Sequence, residues 1–412
     1  MRDVIDRVER DFFDVFAEHE KIAEFNQQKI LTAMQENRLS ESHFALTNGY
    51  GYDDVGREVV ERIYADIFKA ETALVRPQII SGTHALCITL FGNLRPNDTL
   101  LYVTGSPYNT LHSVIGLKNE SGSLADFGIK YRQTDLQADG CFNFPEIKKI
   151  LTSDTSIKMI GIQRSKGYTW RQSFNIAEIS KLIQFIKNIR PDVICMVDNC
   201  YGEFVETAEP IEVGADIAVG SLIKNPGGGL APAGGYIVGK RPYIEKAAER
   251  LTAPGLGGGV GPMLGFTTVF LHGLFLAPQT VNGSLHGAIL AAAVFQELGY
   301  KVLPDPYDTR TDIVQAIELK TAEKVLSFCR GIQKAAPVDS FVTPEFAQMP
   351  GYDHDVVMAA GSFVQGASIE LSADSPMEEP FVVYMQGGLT RYHAKIGVAF
   401  ALEEVLKISC IP

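Results

Sequence analysis

Apolar positions change their period several times along the chain, and the changes mark out its organisation. Over residues 1 to about 38, Val4, Ile5, Val8, Phe12, Val15 and Phe16 recur at three- and four-residue steps among charged neighbours, the stripe of an amphipathic helix. A globular domain does not need such an arm for its own core, so docking on a neighbouring subunit or on the back of the main domain is expected. A loop rich in Gly and Tyr at 47–56 leads to a helical run at 57–70. From residue 75 to about 239, short apolar runs at 99–104, 157–163, 193–198, 217–220 and 235–238 alternate with helical patterns near 83–91, 145–151 and 176–189. Strand and helix in turn predict a mostly parallel α/β sheet covered by helices on both faces. Ligands of such sheets bind beyond the carboxyl ends of the strands. A Gly-rich stretch at 255–261 opens into a long apolar helical region ending at 298. The turn-rich 299–309 then shifts the composition. A helix at about 312–335, strand-like runs at 341–343, 367–371 and 381–385, and a last helix at about 393–407 predict a smaller α/β unit. The expected division is an arm and loop at 1–56, a large domain at 57–300 and a small C-terminal domain at 301–412. Two or three domains also suit 412 residues at ~150 each.

Composition narrows the class. A hydrophobic fraction of 46% with 21% charged residues excludes wholesale disorder. The formal charge of −12 argues against a nucleic-acid or anionic-membrane surface. No stretch reaches the ~18–20 apolar residues that span a bilayer, and the charged amphipathic N-terminus is not a signal peptide, so a cytoplasmic protein is expected. The six cysteines, at 87, 141, 195, 200, 329 and 410, form no CxxC pair and read as reduced thiols. The eight histidines are scattered without ligand spacing, and no metal is expected. GGYIVGKR at 234–241 is one residue short of a phosphate-binding P-loop, and its apolar middle reads as a strand.

Three features carry chemistry. Ser81, Gly82 and Thr83 open a helix, where free N–H groups and the helix dipole favour an anion, although alone they read equally as a cap. Asp198 ends the apolar run 193–197, at the carboxyl end of a strand. Lys224 follows 26 residues later, between Ile223 and a Gly-rich loop, with Ser221 three residues before it. Partial desolvation is expected to lower the Lys224 pKa and make the amine a usable nucleophile and base. A lysine for a Schiff base, a carboxylate for a pyridine nitrogen and an anion-binding helix terminus are together what pyridoxal 5′-phosphate requires.

The chain resembles the aluminium-resistance or methionine gamma-lyase-like branch of the Cys/Met-metabolism family of fold-type I pyridoxal-phosphate enzymes. The stretches that carry the resemblance are TNGYGYDDVGRE (47–58), ISGTHAL (80–86), GIQRSKGYTWRQS (161–173), VDNCYGEFVE (197–206), GSLIKNPGGGLAPAGGYIVG (220–239) and YMQGGLT (384–390). By that resemblance Lys224 carries the cofactor, Asp198 bonds the pyridinium nitrogen, and Gly82, Thr83 and Ser221 hold the phosphate. Tyr108 corresponds to an aromatic stacked on the pyridine ring. Tyr52 and Arg57 resemble residues lent to the phosphate of a neighbouring subunit, which implies a homodimer or homotetramer with an intersubunit site. The implied reaction is β- or γ-elimination of a thiol from a small sulfur amino acid after Lys224 removes the Cα proton. An aminotransferase, a transsulfuration synthase or a weakly active cofactor-binding stress protein are the alternatives. The arginine for the substrate carboxylate is not found intact in its usual C-terminal motif; Arg391 and Arg164 are the candidates.

Overall fold

A computed structural model describes residues 2–118, 120–349 and 354–409. The amphipathic arm folds as α1 (Arg2–Asp11) and α2 (Phe13–Glu36), broken at Phe12 rather than continuous. Its stripe is satisfied within the chain. Ile5, Val8, Phe12 and Phe16 join the core formed by the end of a long helix and the C-terminal sheet, while Ile30, Ala33 and Met34 pack on α3 (Val55–Ile67).

Seven strands form the large sheet: β1 (Thr72–Arg76), β2 (Thr99–Tyr102), β3 (Lys130–Gln133), β4 (Ile157–Gln163), β5 (Ile194–Asp198), β6 (Ile217–Ser221) and β7 (Gly235–Gly239). Their order is β1-β7-β6-β5-β4-β2-β3, parallel from β6 to β3, with β7 antiparallel to both neighbours. Between them run α4 (Gly82–Asn93), α5 (Asn109–Ile115), α6 (Phe144–Ser153) and α7 (Ile176–Ile189). Successive residues of β5 face opposite cores: Ile194 and Met196 meet α4 and α8 (Arg241–Leu251), while Cys195 and Val197 meet α6 and α7. Each such buried aliphatic side chain contributes ~1.5–3 kcal/mol, and burial on both faces is why these strands read as continuous apolar runs. Helix α7 begins at a capping box in which Asn175 and Glu178 exchange side-chain-to-backbone hydrogen bonds. The 32-residue helix α9 (Phe266–Glu297) packs beside α2 and α3 and reaches the C-terminal sheet.

The second sheet runs β10-β11-β12-β9-β8, from β8 (Lys301–Leu303), β9 (Gln315–Glu318), β10 (Val356–Ala359), β11 (Ser372–Pro376) and β12 (Val382–Gln386), backed by α10 (Ala322–Lys334) and α11 (Arg391–Ser409). Here the sequence expectations need correction. The helix expected at 312–335 starts only at Ala322, because Lys320 adopts a positive φ of 71° and Thr321 caps the new helix. The preceding run is β9, a strand paired on both sides; buried on both faces, it loses the two-residue alternation that identifies strands. Residues 341–343 are not a strand, and the 367–371 run is a turn leading into β11. Polar β3 lies at the sheet edge and left no apolar signal.

Candidate active site

Three neighbouring strands deliver their last residues to one place. Gln163 of β4 stands in register with Asp198 of β5, and Asp198 with Val219 of β6, so that Ser221 lies two residues further along the same edge. The turn after β1 brings the start of α4 to this edge. Ser81 caps that helix, its hydroxyl accepting from the His84 N–H at 3.1 Å, and the first-turn N–H groups of Gly82 and Thr83 have no acceptor within the helix. A Cβ at Gly82 would lie 3.5 Å from both Cys200 Sγ and Ser221 Cβ, so the helix start, the β5 turn and the end of β6 enclose one small cradle. The Ser221 hydroxyl is buried there without a hydrogen-bond partner among the described residues. An orphaned donor beside free helix N–H groups is what a phosphate group satisfies. The residues present therefore fit pyridoxal phosphate.

Lys224 follows β6 and stands half-buried, its Nζ 4.2 Å from the centre of the Tyr201 ring. The loop after it is fixed by close packing: a Cβ at Gly227 would sit 1.7 Å from the Leu222 carbonyl oxygen, and Gly228, at φ +56°, abuts the Gly273 carbonyl of α9. Burial pulls the Lys224 ammonium down, but Cys200, Tyr201, Asp198 and Glu203 more than offset it, and its pKa is raised above the ordinary value. The sequence expectation of a lowered pKa is corrected by these acidic neighbours, two of which, Tyr201 and Glu203, lie in a turn that gave no signal by itself. That turn is strained, with Tyr201 and Phe204 at positive φ. Asn225 Nδ2 holds it by donating to the Tyr201 and Glu203 carbonyls, and Asn26 of α2 does the same for Phe204 and Glu206. Burial drives the Glu203 carboxyl up to about 8, where it accepts from the Tyr236 hydroxyl at 2.7 Å.

The other predicted residues divide. Tyr108 precedes α5, its N–H donating to Gln163 Oε1 at 2.7 Å, while Thr83 Oγ1 meets Thr110 Oγ1 at 2.8 Å; Tyr108 thus joins the group. Tyr52 is exposed and stacks on Tyr50, and Arg57 is buried with its guanidinium donating to the Gly51 and Gly261 carbonyls. Among the described residues, no hydrogen bond or ring contact ties either to Lys224. Arg164 is fully enclosed, bonded to Asn199 at 2.7 Å and Glu206 at 2.6 Å, with Glu209 at 3.7 Å. Arg391 starts α11, half-exposed, 3.5 Å from Glu20 of the arm, beside a separate cavity under α2. The structure brings neither arginine to the Lys224 cradle.

Sequence reasoning assigned no role to Gln163, Lys166 or Tyr168, which line a cavity of about 300 Å³ together with the predicted Tyr108. Lys166 is buried and pulled down to about 8 by desolvation, with Asp312 opposing, and it donates to the Leu303 and Val314 carbonyls. From the small domain, Ser368 donates to the Tyr201 hydroxyl at 3.0 Å. Asp374 receives the Tyr168 hydroxyl and, at 3.0 Å, the Gln386 amide. Gln163, Lys166, Tyr168, Tyr201 and Gln386 lie inside stretches that carry the resemblance, without a role assigned to them there, whereas Ser368 and Asp374 lie outside every such stretch. The five described cysteines are free thiols, and Cys410 lies outside the described residues. Among the described residues no helix is long and apolar enough to cross a membrane.

The family model described as Methionine gamma-lyase matches residues 1–406. The uncharacterized protein YnbB of Bacillus subtilis (strain 168) is 49% identical over 402 residues, covering 97% of this chain and 95% of that protein. A carbon-sulfur lyase involved in aluminum resistance from Clostridium novyi NT is 50% identical in its crystal structure, with a TM-score of 0.93, and the match covers 97% of this chain and 94% of that one. The pyridoxal-5′-phosphate dependent protein YhfS of Escherichia coli shares the fold at a TM-score of 0.62 and 16% identity, over 93% of this chain and 96% of that one. The architecture is that of the fold-type I pyridoxal-phosphate enzymes.

Proposed function

Because the chain belongs to the methionine gamma-lyase family, we propose that it is a pyridoxal-phosphate-dependent carbon–sulfur lyase acting on a sulfur amino acid of the cystathionine, cysteine or methionine type. One observation carries the reading: Ser221, Gly82 and Cys200 enclose a cradle with an orphaned hydroxyl, between Asp198 and Lys224 on consecutive strand ends. When bound, the cofactor supplies an electron sink for negative charge developing at the substrate Cα.

The chain's own residues do the rest. Gly82, Thr83 and Ser221 would hold the phosphate, and the Asp198 carboxylate would keep a proton on the pyridine nitrogen. Tyr108 would pack against the cofactor. Lys224 would anchor it, and Nζ would take the Cα proton of the substrate. Tyr52 and Arg57 would serve the phosphate of a second copy, which would make the working protein at least a dimer.

The test is twofold. Lys224→Ala is expected to lose the cofactor's absorbance band near the visible edge, together with turnover. The wild-type protein is expected to release a thiol and a 2-oxo acid from a sulfur amino acid without an added keto-acid acceptor. Cofactor binding with turnover only when an acceptor is supplied would instead identify an aminotransferase.

A further inference from the structure

A lysine that both anchors a cofactor and receives a proton has to be kept in place between the two tasks. An ammonium on a flexible four-carbon stem visits many rotamers, and a misplacement of one ångström slows a reaction steeply. Lys224 Nζ has a fixed neighbour: it lies over the Tyr201 ring, 4.2 Å from its centre. The face of an aromatic ring attracts an ammonium, and does so more strongly where water is excluded.

The ring is held at both ends. The Tyr201 backbone stands at φ 71°, a left-handed conformation that a bulky residue rarely adopts. Asn225, the residue after Lys224, pins it by donating from Nδ2 to the Tyr201 carbonyl at 3.1 Å. At the tip of the side chain, Ser368 Oγ donates to the Tyr201 hydroxyl at 3.0 Å. Ser368 belongs to the turn before β11, which the buried Glu370 carboxylate folds by accepting from the Phe363 and Val364 N–H groups, each at 2.9 Å. The same turn packs back on the lysine segment, since a Cβ at Gly366 would lie 3.7 Å from Ile223. Strain of the kind seen at Tyr201 persists where the surroundings over-determine it, and it gathers at functional sites.

Resting on the lyase reading, we propose that the Tyr201 ring is the platform on which the Lys224 ammonium rests whenever that amine is free of the cofactor, and that Ser368 aims the ring. Tyr201 is thus a positioning residue that acts through Lys224. Before loading, the platform keeps the amine from swinging into solvent. Once Nζ has taken the Cα proton, it holds the resulting ammonium within the site. The ring face is enough for this, and the hydroxyl matters only for aim. Asp198, Cys200 and Glu203 also favour the ammonium, so the share of the platform is read by replacing the ring alone.

The first arm of the test uses the cofactor-free protein, its lysines reductively methylated with a carbon-13 label. Lys224 is assigned by the signal missing from Lys224→Ala. In wild type that signal is expected upfield of the other lysines, shifted by the ring current. Tyr201→Phe keeps the displacement and Tyr201→Leu abolishes it; Tyr201→Asn, which tolerates the left-handed backbone, is a second ringless variant should the first not fold. The second arm loads the protein with pyridoxal phosphate and follows exchange of the Cα hydrogen of cystathionine, cysteine and methionine into deuterated solvent. Exchange is expected to fall about 10-fold in the ringless variants and under about 3-fold in Tyr201→Phe and Ser368→Ala, with cofactor affinity within about 3-fold throughout. A displaced Lys224 signal that survives loss of the ring overturns the platform. So do equal losses of exchange in Tyr201→Phe and Tyr201→Leu, or a loss of cofactor affinity as large as the loss of exchange. Wild-type protein that exchanges no Cα hydrogen from any of the three amino acids overturns the lyase reading instead, and the resonance arm still decides the platform.

Discussion

Around Asp198, Ser221 and Gly82, the groups come from ends of the large sheet or from the helix start beside it; around Tyr168 and Asp374, they come from turns and from the second sheet. The first side is rigid. Asp198 and Ser221 sit on parallel strands locked in register, and Gly82 lies on a capped helix. The second side is assembled from Tyr168, Tyr201, Ser368, Asp374 and Gln386; the Ser368–Tyr201 and Tyr168–Asp374 hydrogen bonds link turns of the large sheet to the second sheet and the turn before it, and Gln386–Asp374 lies within the second sheet. The first side is suited to hold a ligand in one geometry, and the second is more readily rearranged.

The sharpest break of this contrast is at its foundation. Arg164 lies under the strand ends, where its guanidinium binds Asn199, Glu206 and Glu209, and a Cβ at Gly202 would come within 2.5 Å of it. Arg164→Ala leaves Glu209 buried and uncompensated, and the expected loss is ~3–5 kcal/mol of stability, read by denaturant unfolding. A cost below about 1 kcal/mol would mean that the sheet edge is not held from below.

What could be read in the sequence follows the same line. The sheet-side residues lie at ends of apolar runs, where strand periodicity and a local motif coincide; Asp198, Ser221 and Lys224 were therefore visible as a set. The second side has no such coincidence. Asp374 is a polar residue within a short strand, and Tyr168 follows a loop whose neighbours Lys166 and Arg164 are buried only because Asp312, Glu206 and Glu209 arrive from elsewhere. β9 was taken for helix for a related reason: a strand buried on both faces carries no alternation.

A smaller effect separates cofactor binding from folding. Among the described residues of the cofactor-free protein the Ser221 hydroxyl is buried without a partner, so Ser221→Ala removes an uncompensated desolvation cost and leaves stability unchanged or slightly higher. With the cofactor bound, that hydroxyl donates to a charged phosphate, and its loss is expected to weaken binding by ~1.5–3 kcal/mol. Cofactor titration by absorbance and thermal unfolding of the cofactor-free protein measure the two halves. Destabilisation of the cofactor-free form with unchanged affinity would remove Ser221 from the phosphate site.

The smallest effect is expected at Arg391, which tests whether the small domain binds substrate through charge. Its side chain is half-exposed, lies over the Tyr392 ring and pairs at 3.5 Å with Glu20. Exposed pairs of this kind contribute little, and Arg391→Ala should change stability by no more than ~0.5 kcal/mol. If the substrate carboxylate were gripped by this guanidinium, the same variant would raise KM by one to two orders of magnitude, the consequence of removing a charge-assisted bidentate contact at ~1.5–3 kcal/mol. The geometry argues otherwise, since Arg391 faces the arm and a cavity under α2 rather than the Tyr168 wall. A KM within about 3-fold of wild type therefore removes Arg391 from the substrate site.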